Sequence, residues 1–176
     1  MKYKHIFTLG LAFALSLPTA AQSGDQKSLS VAAPSDTQKA FDKLKTLAGS
    51  WEGSFEGGPM QVTLRVTSMG NALMHEMRGG GPEDPISMLT VDGDRLLLTH
   101  YCDAGNQPRM VGTVSPDGKT ITFNFIDATN LRPAQGGHMQ SAVFAFIDAD
   151  HHTETWTFAM ADGKPMGGLL DLRRIK

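Results

Sequence analysis

The sequence predicts an all-β protein: an antiparallel, up-and-down β-barrel of about ten strands behind one short helix. Three observations carry this. Apolar residues alternate with polar ones at period two from Leu47 almost to the end of the chain. The breaks between the alternating runs are short and carry turn chemistry, as in Gly57-Gly58-Pro59, Asp92-Gly93-Asp94 and Pro116-Asp117-Gly118. No second helix of useful length lies between strands, which excludes strand-helix-strand crossovers and leaves a meander. A meander of ten strands has two open edges unless the sheet closes on itself, so closure into a barrel is favoured over a two-sheet sandwich.

The elements follow in chain order. Met1 to His5 is basic, Ile6 to Leu17 is an apolar run, and Pro18-Thr19-Ala20-Ala21 supplies small residues. This is the layout of a secretory signal peptide over residues 1–21, too short in its apolar part to span a bilayer. The expected address is secretion, in a bacterium the periplasm, with no membrane segment after signal removal. Residues 22–36 read as a flexible leader rich in Ser, Ala, Gln and Lys, and the barrel domain takes residues 37–176. Ser35 or Asp36 caps a helix on which Phe41, Leu44 and Leu47 recur at spacings of three, ending near Gly49. The strands are then read around Leu47 to Phe55, Met60 to Thr67, Ala72 to Arg78, Ile86 to Val91 and Arg95 to Cys102. Five more follow at Arg109 to Val114, Thr120 to Asp127, Met139 to Asp148, Thr153 to Phe158 and Leu169 to Ile175.

Composition narrows the function. Of 16 lysines and arginines two fall in the first 21 residues, which hold no acid, so the remaining chain carries 14 bases against 18 acids. Without a basic stripe, capture of nucleic acid or anionic lipid has little to work with. Cys102 is the one cysteine of the sequence, so no intrachain disulfide forms and stability must come from the core.

The segment Leu47-Ala48-Gly49-Ser50-Trp51-Glu52-Gly53, a glycine two residues before a tryptophan on the first strand after a short helix, resembles the opening of lipocalin-like barrels of the calycin group. The strand number is nearer to the fatty-acid-binding and nitrobindin-like branches. The resemblance implies that Trp51 plugs the closed end of the barrel beside the helix while Gly49 allows close backbone approach. Leu98-Thr99-His100-Tyr101-Cys102 and Asn106-Gln107-Pro108-Arg109-Met110 resemble segments of uncharacterised secreted bacterial proteins, which brings no activity with it.

Alternation also places candidate site residues. Trp156 and Phe158 face inward on their strand, so Glu154 and His152 do too. Leu96 and Leu98 carry His100 and Cys102 inward and leave Tyr101 outside. If Phe144 and Phe146 face in, His138 and Gln140 follow; on the third strand either His75 or Glu76 is inside. A buried Glu154 needs a partner, and His152, His138, His100 and Arg109 are the candidates. An apolar wall with a few convergent polar groups is the composition of a small-molecule site. The sequence therefore points to a barrel that binds a small apolar or amphipathic ligand through His100, Cys102, Arg109, His138, His152 and Glu154. On this reading Glu154→Gln changes ligand affinity more than stability. The alternative is an enzyme, or a metal- or haem-dependent protein, using the same cluster. No metal is assigned, because one His-x-Cys is not a diagnostic spacing. No cofactor is specified, and no nucleophile turn, phosphate loop or HExxH helix supports catalysis.

Overall fold

A computed structural model describes residues 33–132 and 136–176. The expected signal peptide and most of the expected leader lie outside the described residues. The helix α1 spans Asp36–Lys45, and Ser35 caps it by accepting a hydrogen bond from the Gln38 backbone N–H at 3.1 Å. Its Ala40, Phe41 and Leu44 are buried. It stops four residues before Gly49, and Thr46, Leu47 and Ala48 continue in turn hydrogen bonds back to Lys43, Leu44 and Lys45.

Ten strands follow: β1 Gly49–Phe55, β2 Gly58–Thr67, β3 Ala72–Arg78, β4 Ile86–Asp92, β5 Arg95–Tyr101, β6 Gln107–Val114, β7 Thr120–Thr129, β8 Gly137–Asp148, β9 His151–Met160 and β10 Pro165–Arg174. Each pairs antiparallel with the next, and β1 pairs with β10 through Trp51 opposite Arg174 and Glu52 opposite Arg173, which closes the barrel. Closure leaves no edge to be protected. The predicted fold class is therefore the observed one. Strand β10 begins at Pro165, earlier than Leu169, because Gly167 and Gly168 extend it. A side chain at Gly167 would lie 2.0 Å from the Trp156 carbonyl oxygen, at a φ of +151°. Glycine there lets β10 approach β9, and a pattern search for side-chain alternation passes over it.

The strand connections sort into two ends. Those after β2, β4, β6 and β8 share an end with α1: the Thr37 hydroxyl donates to the Asp94 carbonyl at 2.7 Å, and the Lys43 ammonium donates to the Gly118 carbonyl. Trp51 closes this end. It is fully buried, and its indole N–H donates to the Leu47 carbonyl at 2.8 Å. The Arg174 guanidinium lies over its ring at 4.1 Å and donates to the carbonyls of Ala48 at 2.8 Å and Thr46 at 3.0 Å. A side chain at Gly49 would run into that guanidinium, which accounts for the glycine two residues before the tryptophan. The other end of the barrel carries the connections after β1, β3, β5, β7 and β9. It holds the site.

Candidate functional site

The inward residues of β9 run along the lumen from the closed end to the open one: His152, Glu154, Trp156, Phe158. The His152 ring meets Trp51 edge to face at 4.2 Å. Glu154 is 0% exposed, and a carboxylate taken out of water there is tolerated only if its lone pairs are filled. Three donors fill them. His75 Nε2 stands 2.9 Å from Oε2, His152 Nε2 stands 3.0 Å from Oε1, and the Trp156 indole N–H donates to Oε2 at 2.9 Å. Burial pushes the Glu154 carboxyl up, but the charge of His75 and the hydrogen bonds from both histidines outweigh it and hold the group down at about 2. His75 and His152 each keep a buried Nδ1 without a hydrogen-bond partner among the described residues.

His75 belongs to β3, so the bond to Glu154 crosses the lumen. Sequence alternation left β3 undecided because Leu73 and Met74 are apolar on opposite faces; the structure puts Leu73, His75 and Met77 inside. His75, Ser87 and His100 stand side by side on β3, β4 and β5 in register. Ser87 is fully buried and lies 2.9 Å from His100 Nδ1. Its sequence signal is Leu89, on the same buried face of β4.

Trp156 separates two compartments. Its ring centroid lies 5.3 Å from that of His75 and 5.5 Å from that of His100. On one side is the sealed carboxylate. On the other is a cavity of about 400 Å³ at the open end, walled by Phe55, Met60, Met77, Met139, Phe158 and Leu170 and by Trp156 itself. Its polar contributions come from His100, Cys102, Glu56 and Asp103. A second cavity of about 340 Å³ shares Phe55, Met60, Met77 and Pro85 with it and runs beneath Gly79, Gly80 and Gly81, so the glycine run sits at the mouth of the barrel.

The six residues marked out by the sequence thus divide into three groups. His100 and Cys102 line the cavity. His152 and Glu154 face the lumen but lie beneath Trp156 and do not line it. Arg109 and His138 are corrections. Arg109 is on the outer face because Met110 beside it takes the inner one; it forms a bidentate pair with Asp127 at 2.5 and 2.6 Å, half exposed on both sides. Such a pair adds little stability. His138 leaves the inner row because a bulge between Met139 and Ser141 inserts one residue into β8 and exchanges the faces below it. Met139 turns into the cavity in its place, Gln140 is exposed, and the His138 ring packs against Phe125 at 4.2 Å with Nε2 3.1 Å from Gln140 Oε1. Among the described residues no group of three or more His, Cys, Asp or Glu side chains is arranged to hold a metal ion. Cys102 is half-buried, and burial pushes its thiol up, away from the thiolate needed for nucleophilic attack.

His100 supplies a pH prediction. It is 1% exposed, and desolvation, with the charge of His75 second, lowers it from 6.5 to about 4. A histidine depressed in the folded state takes up its proton more readily when unfolded, so stability is full above about pH 6.5 and is lost as pH falls toward 4. A difference of that size is on the order of 3 kcal/mol. Below that window Glu154 adds a further loss as its carboxylate is protonated in the unfolded chain first. Urea unfolding across pH 4 to 7 should show this slope, and His100→Gln should flatten it. An equally steep slope in the variant would remove His100 as its source.

Neither a protein-family profile nor a curated protein sequence matches the chain. Solved structures do. One is Rv2717c from M. tuberculosis, 19% identical with a TM-score of 0.51; the match covers 80% of this chain and all of that one. Another is a protein of unknown function of the DUF3598 family from Nostoc punctiforme, 14% identical with a TM-score of 0.50; the match covers 75% of this chain and 49% of the longer neighbour. At such identities the likeness is one of fold.

Proposed function

We propose that the protein is a lipocalin-like binding protein that takes a small apolar or amphipathic molecule into the open end of its barrel. The supporting observation is the cavity above Trp156. Its volume of about 400 Å³ falls within the ~300 to 1,000 Å³ of small-molecule pockets, and it combines an apolar wall with a few polar groups. Four methionines, Met60, Met77, Met139 and Met166, line it, and flexible thioethers let an apolar wall adapt to its occupant. Trp156 seals the His75, His152 and Glu154 network away from this space, which favours binding over turnover. The amino-terminal segment supports a secreted, periplasmic address for this role.

The test is a titration with the uncharged fluorescent probe N-phenylnaphthylamine. The expected result is a saturable rise in its emission and a change in that of Trp156. Met139→Trp, which fills the cavity from the bulged strand, should abolish the signal while leaving the unfolding midpoint close to that of the parent. Probe binding that survives this filling would place the ligand elsewhere.

A further inference from the structure

The cavity itself carries information about the head group of its ligand. The inference rests on the binding reading above. No lysine or arginine is among the cavity-lining residues that are described, whereas Glu56 and Asp103 both line it. An anionic head group would pass a rim that carries two exposed carboxylates and enter an apolar space with no lysine or arginine to pair it, an unfavourable course for a charge leaving water.

Of the polar side chains that line the cavity, His100 is the buried one. His100 is almost fully buried, lines the cavity, and makes its hydrogen bond through Nδ1 to Ser87. Nε2 on the opposite side of the ring makes no hydrogen bond with the described residues, and it is not among the sealed polar atoms left without a partner. A ligand that covers this valence without bonding to it leaves a polar atom unsatisfied, and such an unmade bond costs more than a made one returns. Ser87 can donate to Nδ1, which leaves Nε2 as N–H donor, or accept from it, which leaves Nε2 as acceptor. A hydroxyl suits both tautomers, because it donates and accepts; a carbonyl suits one. We infer that the cavity selects uncharged amphiphiles that carry a hydroxyl, read by His100 Nε2, and excludes their carboxylate counterparts. His100 itself stays neutral at ordinary pH, held at about 4 by burial and by His75, so it offers an anion no charge.

Competition against bound N-phenylnaphthylamine tests this with three molecules of equal chain length: decanol, decanoate and chlorodecane. In the native protein decanol should displace the probe at a concentration lower by about tenfold or more than decanoate, and by about two- to tenfold than chlorodecane. Glu56→Gln combined with Asp103→Asn, at the rim, should narrow the gap between decanoate and decanol. His100→Phe should erase the preference of decanol over chlorodecane. Decanoate binding as tightly as decanol in the native protein, or a preference for decanol unchanged in His100→Phe, would overturn the inference and leave the binding reading standing. A native protein that binds neither the probe nor any of the three overturns both.

Discussion

Glu154→Gln is expected to destabilise the protein by about 3–5 kcal/mol, the loss usual when one member of a buried charged network is removed. The carboxylate accepts from His75, His152 and Trp156. Glutamine keeps the shape but offers one acceptor oxygen in place of two, and its amide N–H groups face donors already pointing at that position. Against a total stability of ~5–15 kcal/mol this is a large share. Denaturant unfolding should show a lowered midpoint with an unchanged slope. The sequence alone favoured the opposite balance, with affinity changing more than stability, because alternation places Glu154 in the lumen without saying that Trp156 covers it. A stable Glu154→Gln protein with altered affinity for N-phenylnaphthylamine would return the carboxylate to the ligand site.

Trp51→Ala is expected to have an effect of similar size, about 3–5 kcal/mol, through lost burial and the cavity left behind. The indole closes the barrel end, and its removal also takes away the stacking surface of Arg174 and the edge contact of His152. Because β1 and β10 are paired at Trp51 and Arg174, the loss falls on the seam where the sheet closes. Binding at the open end should persist in whatever fraction remains folded. A variant as stable as the parent with binding lost would make Trp51 a ligand contact instead.

Period-two alternation and turn chemistry were enough to read ten strands, their meander and closure, since which face a strand buries is a local property repeated along it. The same rule carried His100, Cys102, His152 and Glu154 into the lumen. It failed at His138, where the bulge in β8 shifts the pleat by one residue, and at β3, where apolar residues occupy both faces. Arg109 faces outward, as its neighbour Met110 on the inner face requires, so a cation cannot pair with Glu154 from that strand position. Which buried groups touch is not local at all. The pairing of His75 with Glu154 joins residues 79 apart in the chain, and it depends on barrel closure bringing β3 across from β9. Height along the lumen was likewise undetermined by pattern, because alternation tells inside from outside but not how far in. That height, set by inter-strand register, puts Glu154 below Trp156 and His100 beside it. It divides one apparent cluster into a sealed polar network and an open apolar cavity.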